Sequence, residues 1–322
     1  MSGGIPILDL DRLQRDPAAL TELDDALREW GFFHLVGHGV APGIIDELHR
    51  QMHAFFAMPA GRKRAVERTE TNSWGWYDRE LTKRERDWKE IFDDGPEIVG
   101  GSLAGHAPQW PEADLPTFRP ACEAYARAAE DVAFLVLDAI ALCLEAKPEV
   151  LRPSFVGHTS FLRLNWYPRC ADPAPGDAPT GSDGHFGIRH HTDAGALTVL
   201  TQDDQPGLQV LKDGRWTVVE PTPGALVINI GDIVQVWSND RYPAALHRVL
   251  ASSAALRYSA PYFFNPSAEA DYAPLASACS ADDPPRYRPI NWGAFRSGRH
   301  GGDYADQGEE IQISDFRWTS GS

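Results

Sequence analysis

The chain has 322 residues, of which 43% are hydrophobic and 24% charged, an ordinary globular balance with room for one large domain or two modest ones. Its formal net charge of −16 argues against a broad phosphate-binding surface and so against nucleic acid as a partner, although one local arginine could still hold a small acid. The four cysteines (Cys122, Cys143, Cys170, Cys279) form no CxxC pair and fit free thiols in a reducing compartment; with no signal peptide at the start and no apolar run long enough to span a bilayer, a cytoplasmic protein is expected.

In chain order, Ile5–Leu10 predicts a short edge strand. Leu20, Leu23, Leu27 and Trp30 recur at helical spacing over Pro17–Trp30, and Gly31 stops that helix. Gly31–Val36 predicts a strand, Ile44–Phe56 a second helix and Pro59–Glu67 a short basic third. Residues 71–115 are rich in Trp, Gly and Pro and predict loops with brief strands. Phe118–Glu145 is the longest helical stretch.

From about residue 158 short β-type runs alternate with turn residues: Ser160–Tyr167, Leu197–Thr201, Leu208–Leu211, Trp216–Val219, Ala225–Ile230, Ile233–Trp237, His247–Val249 and Arg257–Asn265. Asp213-Gly214 suits a two-residue hairpin turn. Helices first and a β-rich core second predict an α+β fold. Three regions are expected: a helical and mixed region over 1–157 that packs on the core, a jelly-roll core over 158–265, and an irregular segment over 266–322. Residues 170–188, rich in Pro, Gly and Asp, predict a mobile loop that could act as a lid.

The chemistry concentrates in that core. His191 and Asp193 are two apart, so on an extended strand they point the same way. His247, about fifty residues later, could close the third side of a metal site. Two His and one carboxylate leave open positions on the metal, the arrangement of non-haem Fe(II) oxygenases. His190 would face away from Asp193 on a strand, which favours His191 as the ligand. Arg257 and Ser259 also share a face, and a guanidinium fork with a hydroxyl suits a carboxylate. Arg163, Asn165 and Tyr167 alternate with apolar neighbours and share one strand face. Asn165 and Tyr167 could bond a ligand near the metal, and Arg163 could meet another carboxylate. Trp76, Tyr77, Trp88 and Phe92 are candidates to line a substrate mouth, against ordinary packing as the competing reading.

These motifs together resemble the isopenicillin N synthase-like, plant-type family of 2-oxoglutarate/Fe(II)-dependent dioxygenases. The likeness rests on Asn165-Trp166-Tyr167-Pro168, His191-Thr192-Asp193-Ala194-Gly195, His247-Arg248-Val249, Arg257-Tyr258-Ser259 and Phe263-Phe264-Asn265-Pro266. The stretch from Gly31-Phe32-Phe33-His34-Leu35 to His38-Gly39-Val40 resembles the family's N-terminal signature. The resemblance implies a distorted double-stranded β-helix, a form of jelly roll, with flanking helices. It implies Fe(II) held by His191, Asp193 and His247, with no further catalytic residue. Arg257 and Ser259 would hold the distal carboxylate of 2-oxoglutarate, Tyr167 would assist, Asn165 would sit near the iron, and Arg163 falls outside the strict motif. With O2 as the other co-substrate, the implied reaction is hydroxylation, desaturation or cyclisation of a small organic molecule, releasing succinate and CO2. Competing readings are an oxidase of the same family that does not use 2-oxoglutarate, and a metal- or 2-oxoglutarate-binding protein without turnover. A monomer or weak homo-oligomer is expected.

Overall fold

The computed structural model describes residues 4–97, 106–179, 183–299 and 311–318. The chain begins along one edge of a large sheet. Strand β1 (Ile7–Asp9) pairs in parallel with β2 (Phe32–Val36), and α1 (Leu10–Leu13) and α2 (Pro17–Glu29) connect them. Helix α2 starts where the Asp16 side chain accepts a bond from the Ala18 N–H and Pro17 fills the first turn. It ends before Gly31, whose φ of +61° suits glycine. Helix α3 (Pro42–Phe56) and the short α4 (Ala60–Lys63) follow, then β3 (Gly75–Tyr77), β4 (Leu81–Thr82), β5 (Glu85–Arg86) and β6 (Glu90–Asp94). Helix α5 (Phe118–Cys143) is the long central helix.

The β-rich half holds β7 (Phe161–Tyr167), β8 (Phe186–His191), β9 (Leu197–Gln202), β10 (Leu208–Lys212), β11 (Arg215–Val218), β12 (Leu226–Ile230), β13 (His247–Leu250) and β14 (Arg257–Phe264). Asp213 and Gly214 join β10 to β11 with φ of +49° and +74°, as a two-residue hairpin of primed type requires. Two differences from the sequence expectations appear here. Strand β8 begins at Phe186, inside the 170–188 stretch expected to be loop, and runs on to His191. The apolar run at Ile233–Trp237 is helix α6 (Asp232–Trp237), not a strand. A buried apolar run this short has no period that separates helix from strand. The C-terminal segment is also less irregular than expected: β15 (Asp271–Tyr272) pairs with β16 (Ile290–Asn291), and α7 (Trp292–Arg299) follows.

Two sheets make the jelly roll. The major sheet runs β1-β2-β12-β9-β14-β7-β6-β3, and the minor sheet runs β11-β10-β13-β8. Strands β1, β2, β3 and β6 of the N-terminal half are thus hydrogen-bonded into the core sheet, while β4 and β5 pair only with each other. Alternation sorts the major sheet's two faces. Phe33, Leu35, Val199, Ile228, Ala260 and Phe264 face outward into the main hydrophobic core with α2, α3 and α5. The Tyr125 hydroxyl of α5 donates to the carbonyls of Val199 and Ala260 at 3.4 and 3.3 Å. The opposite face, carrying Asn229, Thr198, Gln202, Ser259 and Asn165, looks inward at the minor sheet. One part of this interior is a second apolar core, where Phe32, Leu200 and Val227 of the major sheet meet Leu208, Val210 and Val249 of the minor sheet; the buried polar residues mark the part that forms a site.

Among the described residues no helix is long and apolar enough to cross a membrane.

Candidate metal centre and its cavity

The minor sheet brings two histidines together. His191 ends β8, His247 begins β13, and the two are register partners across the ladder. Their ring centroids are 4.3 Å apart. Asp193 lies past the end of β8, so strand alternation does not place it. The backbone does: the Asp232 N–H donates to the Asp193 carbonyl at 2.8 Å, which lays the loop against the start of α6. Gly231 permits that approach, because a Cβ there would stand 2.6 Å from the Asp193 carbonyl oxygen and 2.3 Å from that of Gly195.

Nε2 of His191 and Nε2 of His247 stand 3.7 and 3.6 Å from Asp193 Oδ1. One ligand atom from each residue falls within 4.8 Å of the others. The remaining atoms are tied down. His191 Nδ1–H donates to the Arg189 carbonyl at 2.8 Å, and His247 Nδ1–H to the Ala245 carbonyl at 3.0 Å. A carbonyl only accepts, so each ring carries its proton on Nδ1 and presents the Nε2 lone pair to the centre. Asp193 Oδ2 accepts from the Thr198 hydroxyl and from the Asn229 amide at 2.8 Å, which leaves Oδ1 for a metal. Burial, and then the neighbouring His247, hold His191 well below the usual imidazole range and therefore neutral. Burial works against the Asp193 carboxylate, yet the two imidazoles and the two hydrogen bonds outweigh it and lower its pKa. Two neutral imidazoles and one carboxylate are the protonation states that a divalent cation needs.

Thr198 and Asn229 were not singled out in the sequence. They are register partners on β9 and β12. A signal was present for Asn229, the lone polar residue of the apolar strand β12, whereas Thr198 shares β9 with Thr201 and Gln202 and does not stand out.

Farther along the same inner face, β14 pairs with β7 so that Arg257 opposes Tyr167 and Ser259 opposes Asn165. The Asn165 amide donates to the Ser259 hydroxyl at 3.4 Å. Arg257 is 3% exposed. Its Nη2 donates to Gln202 Oε1 at 2.7 Å, and its guanidinium lies 5.1 Å from the Tyr167 ring centre. Its Nε and Nη1 are buried with no hydrogen-bond partner. A buried cation with two orphaned donors fits an anionic ligand held at that point.

Arg163 shares the strand face but meets the protein's own carboxylates. Its Nε and Nη2 bond the two Asp93 oxygens at 2.7 and 2.8 Å, and Nη1 bonds Glu80 Oε2 at 2.8 Å. Glu80 also meets Lys89 at 2.7 Å, and Lys89 meets Asp87 at 3.2 Å. Arg163 therefore belongs to an internal ion network beside the site, apart from the Arg257 anchor.

A cavity of about 390 Å³ opens on the metal centre. His191, Asp193 and Asn165 line its inner end, and Trp74, Phe161, Phe263 and Trp292 give it an aromatic wall. The four aromatic candidates named from the sequence are placed elsewhere. Trp76 and Phe92 are register partners buried toward the helices, with Phe92 packed on Phe55 and Phe118. Tyr77 lies beneath Arg68 and Arg79, and Trp88 packs on His185. Core packing claims Trp76 and Phe92, while Tyr77 and Trp88 stay partly exposed, and Trp74, two residues from Trp76, is the tryptophan of that region that reaches the cavity.

The loop before β8 is fastened rather than poised over the cavity. Arg248 Nη1 donates to the Ala178 carbonyl at 2.6 Å and Nη2 to the Gly176 carbonyl at 3.1 Å. Arg248 itself is held by Gln209 at 2.8 Å and lies 4.0 Å from the Trp216 ring centre. Residues 180–182 of the loop lie outside the described residues.

Comparison with known proteins agrees with this geometry. The family described as the 2OG-Fe(II) oxygenase superfamily matches residues 158–266, and that described as non-haem dioxygenase in morphine synthesis N-terminal matches residues 5–113. Gibberellin 2-beta-dioxygenase 6 of Oryza sativa subsp. japonica is 34% identical over 325 residues, spanning 97% of this chain and 84% of that protein. Gibberellin 2-beta-dioxygenase 8 of Arabidopsis thaliana is 31% identical over 301 residues, spanning 91% and 81%. The crystal structure of JOX2 in complex with 2OG, Fe, and JA superposes with a TM-score of 0.81 at 28% identity, covering 98% of this chain and 90% of that one.

Proposed function

This chain belongs to the 2OG-Fe(II) oxygenase superfamily, and from that premise we propose which of its residues perform the reaction. It is a non-haem Fe(II)- and 2-oxoglutarate-dependent dioxygenase that oxidises a small organic substrate, with O2 as co-substrate and succinate and CO2 as products.

His191, Asp193 and His247 are the proposed iron ligands. The observation that supports this reading is the convergence of His191 Nε2, His247 Nε2 and Asp193 Oδ1 with every other polar atom of those side chains already bonded. Iron(II) bound there supplies oxygen activation and the oxidising power. The protein's own contribution is to hold three donors on one side, keep His191 neutral, turn both Nε2 atoms to the centre, and leave the opposite side open to the cavity.

Arg257 and Ser259 are the proposed holders of the far carboxylate of 2-oxoglutarate, with Gln202 orienting the guanidinium. Burial strengthens such a pair, since no water competes for the two orphaned nitrogens. Tyr167 walls that end, and Asn165 stands between it and the metal centre. Hydroxylation, desaturation and cyclisation are all open to this arrangement; the aromatic wall favours a substrate with a flat or apolar body. The gibberellin dioxygenases among its relatives, and the JOX2 structure that holds JA, support a small organic molecule as the scale of that substrate. A cytoplasmic location and a monomeric or weakly associating state are also proposed; the described cysteines are all free thiols, which suits a reducing compartment.

The test is Fe(II)-dependent conversion of 2-oxoglutarate to succinate coupled to a mass change in a substrate. Substrate oxidation without succinate would support the oxidase reading instead, and iron and 2-oxoglutarate binding without either product the non-catalytic one.

A further inference from the structure

We propose that the primary substrate carries a carboxylate and that Arg296 of α7 pairs with it, an inference that rests on the dioxygenase reading above. The argument is one of charge. Beside the metal centre, Arg68, Lys89 and Arg163 face Glu80, Asp87 and Asp93, so three cations meet three carboxylates. Arg299, also on α7, lies 3.9 Å from Asp232. With iron and 2-oxoglutarate bound, the metal's two positive charges and Arg257 balance Asp193 and the two carboxylates of the co-substrate. Arg296 is the cation left over.

Arg296 lines the same cavity as His191 and Asp193. Among the described residues no carboxylate lies within ion-pair reach of it. Its one bond is Nη1 to the Thr159 carbonyl at 3.4 Å, and its guanidinium lies 5.3 Å from the ring centre of Phe161 on the aromatic wall. Asp93 is the carboxylate whose field reaches it, but both Asp93 oxygens are committed to Arg163 at 2.7 and 2.8 Å. Burial depresses its pKa to about 10, as expected of a guanidinium short of counter-charge, yet it stays protonated at neutral pH. A cation kept in a cavity wall without a partner is costly in the empty protein and repaid when an anion arrives. The aromatic wall beside it fits an apolar or aromatic body, so the substrate class is an aryl- or alkyl-substituted carboxylic acid.

The test is calorimetric titration of the Fe(II)- and 2-oxoglutarate-loaded protein without oxygen, using phenylacetate, 4-phenylbutanoate and naphthylacetate, each beside its primary amide. At least one acid should bind roughly ten- to hundredfold more tightly than its amide, the range for a hydrogen-bonded charge. Arg296→Gln should erase that preference while keeping the melting temperature, and Arg296→Lys should retain part of it. Equal affinity for acid and amide across the series, including no binding of either, overturns the proposal. So does an undiminished preference in Arg296→Gln. The initial loading step separates the two readings: failure of 2-oxoglutarate to bind the iron-loaded protein counts against the dioxygenase residues, not against Arg296.

Discussion

His191 and His247 face each other across a single rung between β8 and β13, although β9 to β12 and α6 lie between them in the chain. The ladder therefore fixes the spacing of two ligands by backbone hydrogen bonds, and only Asp193 depends on a loop. That loop is in turn fixed by its bond to Asp232 and by the absence of a side chain at Gly231. Precision at the centre follows from sheet geometry.

The residues behind Asp193 should tune metal affinity without carrying the chemistry. Asn229→Ala and Thr198→Val each remove one of the two bonds to Asp193 Oδ2 and are expected to weaken Fe(II) binding about ten- to hundredfold. Metal titration of the two variants checks this, with unchanged circular dichroism as the control. An affinity equal to that of the wild type would remove these bonds from the account.

Arg257→Gln should raise the concentration of 2-oxoglutarate needed for half-maximal binding by at least about thirtyfold, because one member of a buried charge pair is lost. Gln202→Ala should give a smaller effect in the same direction, since it loosens the guanidinium without removing it. Iron affinity in the absence of 2-oxoglutarate should not move in either variant.

Arg163→Ala should act on stability. It removes both close bonds of the nearly fully buried Asp93, while Glu80 keeps Lys89, and a broken buried pair costs on the order of 3–5 kcal/mol. Thermal unfolding reads this directly. A variant as stable as the wild type but impaired in 2-oxoglutarate binding would return Arg163 to the cofactor anchor.

Asp87 carries a pH signature. Burial pushes its pKa up to about 6, against 3.8 for an ordinary aspartate, with Lys89 opposing the rise and Glu80 adding to it. Between those values the folded protein holds a proton that the unfolded chain releases. The Asp87 contribution to stability is therefore most favourable below about pH 4 and declines as pH rises through about 6, by on the order of 3 kcal/mol. The stability difference between wild type and Asp87→Asn, measured across that window, should shrink with rising pH. A difference that grows would contradict the burial argument.

Much of this was legible in the sequence, and the exceptions share physical causes. The Arg257–Ser259 pair and the polar face of β7 follow from period-two alternation, which a strand imposes regardless of its neighbours; the same rule picks out His191 and Asp193, although Asp193 lies past the strand end and is placed by its loop. Helices α2, α3 and α5 follow from apolar spacing, helped at α2 by the Asp16 cap. Strand β8 was hidden because Gly187, Arg189 and His190 dilute its apolar pattern, and α6 because five buried positions carry no period. Trp76 and Trp74 are alike in composition, so only the pairing of β3 with β6 decides which one turns to the helices. The partners of Arg163 come from residues 80 and 93, and no local pattern ties them to it.

The central claim is that His191, Asp193 and His247 hold the iron that drives 2-oxoglutarate turnover. Its most direct measurement is succinate formed by metal-free protein reconstituted with Fe(II), for wild type and Asp193→Ala, with a candidate aryl acid present. The account predicts iron-dependent succinate from the wild type and none above the metal-free background from the variant. Equal succinate from both proteins would contradict it.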